Sequence, residues 1–316
     1  MFAADAFPDP WKFQAHPEVW LLVVFLVGAY AYTARVLGPA AVGPGQPTVT
    51  KRKTVAFVAA IALLWFAADW PVHDIGENYL YSVHMLQHMV LTYFVAPLVL
   101  IATPTWMARL LVGNRRTYRV LSWIAKPVVA GVTFNVMVMV LHIPGLVNAS
   151  ASNGALHYAL HVGAVLSAVM MWTPIVGPFR EWQIGPGAKC IYLFLMSVVP
   201  TVPAGWLTFA EGVVYKHYDQ PVRVWGIGVT DDQQIAGLIM KLGGSAFLWT
   251  IVVFLFFKRF GAGFHEDNTY VRSAKAGATP SEPTPAAVEE TLTYEQVAEA
   301  FARSKPLVEP GQSPRD

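Results

Sequence analysis

Seven long apolar runs, at residues 19–37, 55–71, 84–103, 128–147, 156–177, 190–210 and 235–257, constrain this 316-residue chain more than any other feature. A helix needs about 20 apolar residues to cross the hydrocarbon core of a bilayer. Inside that core each backbone polar group must find its partner within the protein, which a helix provides along its own length. The pattern predicts an all-α, polytopic transmembrane helix bundle of about seven spans, one domain over residues 1–260. The run at 55–71 is the shortest. Charged residues make up 13% of the chain and cluster between the runs, against roughly 25% in soluble domains, so a soluble globular fold is excluded. The single cysteine, Cys190, rules out an internal disulfide and a cysteine-based zinc site. The N-terminus shows no basic segment followed by a cleavage site, so no removable signal peptide is expected.

Basic residues fall in alternate connections. Arg35, Lys51, Arg52 and Lys53 lie in the first; Arg109, Arg115, Arg116, Arg119 and Lys126 in the third; Arg180 and Lys189 in the fifth; Lys258 and Arg259 follow the last run. The remaining segments hold only Lys12, Lys216 and Arg223, and carry acids such as Glu18, Asp69, Asp74, Glu77, Asp231 and Asp232. Cytoplasmic loops are the basic ones, so the N-terminus is expected outside and the C-terminus in the cytoplasm. Residues 261–316 turn polar and rich in Pro, Ala, Glu and Thr. They are expected to form a disordered cytoplasmic tail, with a capping box at Thr293–Gln296 opening a short helix near 294–304.

This orientation gathers the histidines at one depth. His73 closes the second run, His84 and His88 open the third, His142 sits near the end of the fourth, and His157 and His161 open the fifth. His16 and His217 lie in outer segments, and His265 alone is cytoplasmic. His84/His88 and His157/His161 are spaced i,i+4, which stacks their rings one turn apart on a helix face. Ionisable groups within spans are expensive and tend to mark function. The set His73, His84, His88, His142, His157 and His161 is therefore the candidate metal site, whereas His16, His217 and His265 read as ordinary interfacial or tail histidines. Met85 and Met89 repeat the spacing one position along. Imidazole and thioether suit copper, above all Cu(I), although these two methionines read first as packing residues. Asp74, Glu77, Asp231 and Asp232 share the depth and are candidates to orient the rings.

Lys241, about two turns into the last run, needs a partner there, for which Asp231, Asp232 or an anion held by the histidines are candidates. Its shallow position, and histidines in the third run where a carboxylate is expected, argue against a retinal Schiff base. Pro200 and Pro203 break the sixth run, either opening a cavity beside the histidines or kinking the helix for packing. Trp20, Trp70, Tyr79, Tyr81, Trp206 and Trp225 read as interfacial anchors. There is no nucleophile–base arrangement, phosphate-binding glycine loop or nucleotide motif, so neither an enzyme, an ATP-driven pump nor a nucleic-acid partner is expected.

Four segments together resemble a known family. They are His84-Met-Leu-Gln-His88-Met-Val-Leu running on through Ala96-Pro97-Leu98 to Pro104; His142-Ile-Pro144; His157-x3-His161 leading to Trp172-x-Pro174; and Asp232-Gln-Gln-x2-Gly237-Leu-Ile-Met240. In this order they resemble the multi-span CtaG family of cytochrome c oxidase assembly factors, over most of residues 55 to 257. The resemblance marks His84, His88, His142, His157, His161 and Asp232. Lys241 departs from it, since that position is often Trp, and the acidic, proline-rich tail lies outside it. It implies a multi-pass protein of the bacterial plasma membrane that supports production of active haem–copper oxidase. Its partners would be oxidase subunits, the lipid bilayer and an extracytoplasmic copper chaperone.

Copper delivery at the outer face, where the oxidase copper centres lie, is the leading expectation. A haem b protein with two axial histidines is an alternative. A metal or proton-coupled transporter is a third, disfavoured because the inner halves of the runs carry little beyond Ser, Thr and Asn135.

Overall fold

The structure is a computed structural model and describes residues 9–259, which form part of one compact unit. The expected tail, its short helix and His265 lie outside the described residues. Among the described residues the chain is helical, without strands.

Five helices are long and apolar enough to cross a membrane. They are α1 (Pro17–Ala41), α4 (Tyr81–Ala102), α9 (Gly154–Val176), α10 (Pro186–Thr208) and α11 (Val229–Arg259). Two bent pairs bring the number to as many as seven if each counts as one span. The first pair is α2 (Lys51–Ala68) with α3 (Val72–Asn78), bent by 42°. The second is α6 (Arg115–Ile124) with α7 (Pro127–Leu141), bent by 65°. Two further short helices are α5 (Thr105–Val112) and α8 (Pro144–Ala151).

Prolines account for most departures from continuous spans. The fourth run is split because Pro144 cannot continue the ladder and forces Ile143 into an extended conformation (φ −68°, ψ 120°). Helix α7 therefore ends at Leu141, with His142 as its C-cap. Pro71 likewise lies between α2 and α3, so His73 sits on a separate short helix and not on the end of the second span. In α4 the chain widens into a π turn at Val90–Val95, just before Pro97. That turn accommodates a residue with no N–H to give to the preceding carbonyls. In α10 the break falls at Val199–Pro200, and Thr201 Oγ1 donates back to the Ser197 carbonyl.

The middle of the bundle packs Met89, Tyr93, Phe134, Trp172, Leu193 and Leu248 into one core, with Trp172 Nε1 donating to the Thr92 carbonyl. The outward faces keep large apolar side chains such as Leu21, Phe25, Val128 and Phe254 exposed, as a lipid-facing surface requires. Helix α1 touches the bundle through few residues, among them Tyr30, which stacks on Phe57 at 3.8 Å and donates to the Ala102 carbonyl. Trp20, Trp206 and Trp225 are exposed, and Trp70 is half-buried. Tyr79 and Tyr81 are instead buried at the histidine end of the bundle, Tyr79 packing with Ile75, Leu80 and Val224. Tyr81 lies against Tyr215 and Tyr218.

The helix α4 starts at the histidine end and finishes at the basic end. Its first turn is held by a carboxylate from α11. Asp232, 1% exposed, accepts from Tyr81 N at 2.7 Å, from Ser82 N at 3.0 Å and from the Ser82 hydroxyl. These are N–H groups that a helix start leaves without partners. Gln233 beside it accepts from Val214 N and Tyr215 N and donates to the Tyr215 carbonyl. Gly237 lets α11 lie against α10, since a Cβ there would meet the Ala204 carbonyl at 2.8 Å.

Candidate metal centre

Three elements meet at the histidine end. Helix α4 presents His84 and His88 with ring centroids 4.5 Å apart. Helix α9, whose N-cap Asn153 accepts from Leu156 N, presents His157 and His161 with centroids 4.2 Å apart. The i,i+4 spacing thus stacks both pairs as expected, and the pairs face each other. His84 lies 5.4 Å from His161, and His88 lies 4.5 Å from His161.

Helix α3 brings Glu77 between them. It comes this close because residue 76 is glycine: a Cβ there would sit 3.0 Å from His84 N and 3.2 Å from His84 Cα. Glu77 Oε1 accepts from His84 Nδ1 at 3.0 Å and lies 3.1 Å from His157 Nε2 and 3.9 Å from His161 Nε2. Its backbone carbonyl accepts from His217 Nε2 at 2.9 Å. Donation from Nδ1 fixes the His84 tautomer and leaves its Nε2 lone pair free for a ligand.

These side chains surround a cavity of about 80 Å³, also lined by His142, Met85, Met89, Met137 and Met240. That is room for several water molecules. His142 Nδ1 donates to the Val138 carbonyl at 2.7 Å, so its Nε2 lone pair is available, and that atom is buried without a hydrogen-bond partner. His161 Nε2 is likewise buried without a hydrogen-bond partner. Two sets of ligand atoms lie within 4.8 Å of one another, His84–His88–His161 and Glu77–His157–His161, with His161 common to both. Bonds of about 2.0 Å to one ion would draw such atoms to roughly 3.4 Å apart, a closure within reach of small ring rotations. Two to three imidazoles with thioethers nearby form a donor set that fits copper.

The other expected site residues fall differently. His73 is half-buried, its Nδ1 within 3.2 Å of Gln87 Nε2 and its ring 6.0 Å from His157, at the rim of the cluster. Asp74 pairs with His16 Nε2 at 2.9 Å and not with the five inner rings. Asp232 is occupied by the start of α4, and Asp231 is exposed in the first turn of α11, so neither orients a ring. Lys241 donates to the Thr201 hydroxyl beside the Pro200 kink, in place of the expected acids. Pro200 itself lines the cavity, which favours the reading of that kink as cavity-forming. Met85 and Met89 both pack in the core and line the cavity.

Two residues matter more here than the sequence suggested. Glu77 is the carboxylate that joins the two histidine pairs; its i,i+4 spacing from His73 was the available signal. His16 meets Asp74 and Glu18, and its ring lies 5.0 Å from that of His73. Burial pulls the His16 pKa down, but the hydrogen bonds and charges of Asp74 and Glu18 outweigh it and hold the ring above its ordinary value.

No curated protein and no solved structure shows significant similarity to the chain. Residues 23–261 match the family of the cytochrome c oxidase caa3 assembly factor, Caa3_CtaG. That match takes in α2 to α11 and most of α1, with every cluster histidine and Glu77, and by it the chain belongs to the family of cytochrome c oxidase caa3 assembly factors.

Proposed function

We propose that this family member is a non-catalytic assembly factor that binds copper at the extracytoplasmic face of a bacterial plasma membrane and supports metallation of a haem–copper oxidase subunit. Copper is its cargo, received from an extracytoplasmic chaperone and passed to the oxidase. The observation that carries this reading is the cavity where His84, His88, His157 and His161 meet Glu77, with the buried nitrogens His142 Nε2 and His161 Nε2 left without hydrogen bonds. A buried polar atom without a partner costs about 1–3 kcal/mol, a cost that a bound cation would offset. Thioethers in the same wall favour Cu(I) over harder ions.

The outward placement rests on charge. The basic connections lie at the opposite ends of the helices from the histidines, and cytoplasmic loops are the basic ones. Rings only 4.2 to 4.5 Å apart are in mutual contact and leave no gap for a macrocycle, and ligand pockets of that size run to roughly 300 Å³ or more. An ion fits better than haem. Inward of Thr92 and Ser167 the bundle closes on Tyr93, Phe134, Trp172 and Leu193, which disfavours a transporter.

The test is to purify the protein from membranes, record its absorption spectrum and measure bound copper. Copper present in wild type and lost in His84→Ala/His88→Ala supports the reading. The double variant should insert normally yet fail to restore oxidase activity in a deletion strain. A Soret band with stoichiometric haem, or full restoration by the double variant, would refute it.

A further inference from the structure

The row of imidazoles continues outward beyond the cavity. His16, at the foot of α1, lies 5.0 Å from His73; His73 lies 6.0 Å from His157; and His157 lies 4.2 Å from His161. Two imidazoles bound to one ion have centroids up to about 6 Å apart, twice the sum of a ~2.0 Å metal–nitrogen bond and the ring radius. Each step of this row falls within that span, so the ring spacing permits neighbours to share one cation once their nitrogens turn towards it; at rest the His16 nitrogens face Glu18 and Asp74.

The row also has a direction. The Glu18 side chain is 47% exposed, His16 13% and Asp74 4%. The two carboxylates flank the outermost ring, Glu18 at 3.1 Å from Nδ1 and Asp74 at 2.9 Å from Nε2. Fixed negative charge beside the outermost ring concentrates cations there and speeds their arrival. His16 and Glu18 precede residue 23, where the match to the family begins.

Resting on the reading of the cavity as a copper site, we propose that His16 and His73 form its loading path. His16 captures the cation through Nδ1, which gives up its contact to Glu18 and its proton to water as the ion binds, and His73 passes it to His157. In each step a new ring nitrogen bonds to the ion as the bond to the previous ring breaks. A proton held on the accepting nitrogen leaves to water, and the oxidation state of the ion does not change. His16 and His73 thus govern how fast the centre fills, and the inner residues govern how tightly it holds.

The experiment follows Cu(I) transfer from a chromophoric chelator complex to the full-length protein in detergent by stopped-flow absorbance, with final stoichiometry measured by metal analysis. His16→Gln keeps a polar contact to Asp74 but offers no imidazole. It is expected to slow loading about tenfold at unchanged stoichiometry and unchanged melting temperature. Glu18→Gln is expected to slow it less. Loading of His16→Gln at the wild-type rate overturns the path. So does a matching fall in final stoichiometry, which would make His16 part of the centre itself. Failure of the wild-type protein to take up copper at all refutes the function proposed for the cavity, and is distinguishable from both.

Discussion

The two ends of the bundle use charged groups for different ends. At the basic end Lys53 Nζ donates to the Ile101 and Thr103 carbonyls, each at 3.0 Å, and Lys189 Nζ donates to the Ile175 carbonyl at 2.6 Å. Both lysines finish the C-terminal turns of helices, α4 and α9, whose last carbonyls lack partners and carry partial negative charge. Arg109, Arg115, Arg116 and Arg119 stay exposed. At the histidine end Asp232 finishes the start of α4 in the same structural sense. The rest of that end is not used up in this way: His142 Nε2 and His161 Nε2 are buried beside a cavity without a hydrogen-bond partner. A charge that completes a helix end explains itself. A buried ring nitrogen without a partner beside a cavity points to a ligand.

The largest effect that separates these roles should come from Asp232→Ala. It strips acceptors from Tyr81 N, Ser82 N and the Ser82 hydroxyl at a buried helix start, which should cost about 3 kcal/mol of stability. Unfolding in detergent, followed by circular dichroism, measures it, and Asp232→Asn should recover part of the loss. If Asp232→Ala kept its stability and lost only copper, the carboxylate would belong to the centre and the two ends would not differ in this way.

Next in size is Glu77→Gln. The amide oxygen still accepts from His84, so the fold should hold, but the negative charge shared by His84, His157 and His161 is lost. Loss of such an orienting carboxylate weakens metal binding about 10- to 100-fold, read by chelator competition at constant melting temperature. Gly76→Ala should act in the same direction but less, by up to about tenfold on the same scale. The new methyl meets the His84 backbone at 3.0 Å, which cannot yield as a side chain would, so α3 backs away and takes Glu77 with it. Unchanged affinity in both variants would confine the centre to His84, His88 and His161.

Much of this was legible in the sequence, and what was hidden shares one cause. Apolar runs of about 20 residues and their prolines predict where helices run and break, because those rules are local. The pairs His84/His88 and His157/His161 were legible for the same reason, since a helix fixes i,i+4 neighbours. Partner choice across the fold was not. The sequence offers Asp74, Glu77, Asp231 and Asp232 as equals at one depth. Only the close approach allowed by Gly76 selects Glu77, while Asp74 goes to His16 and Asp232 to the start of α4. Lys241 has acids near it in sequence, yet the kink at Pro200 presents the Thr201 hydroxyl to it instead. His16 looked ordinary because nothing local shows that its neighbour in space is His73.

The smallest expected effect tests the other side of the comparison. Lys189→Met removes donors to the Ile175 carbonyl and to Gln183 Oε1, and Lys53→Met removes those to Ile101 and Thr103. Both lysines are only partly buried, and water can replace some of what is lost, so each change should cost about 1 kcal/mol. The cost should appear as a small drop in melting temperature. Copper stoichiometry and affinity should not move, because these side chains sit at the far ends of α4 and α9 from the histidines. A fall in copper affinity comparable to that of Glu77→Gln would mean that strain at the basic end reaches the rings through the two helices. The ends would then be coupled, and the division between a structural end and a ligand-binding end would fail.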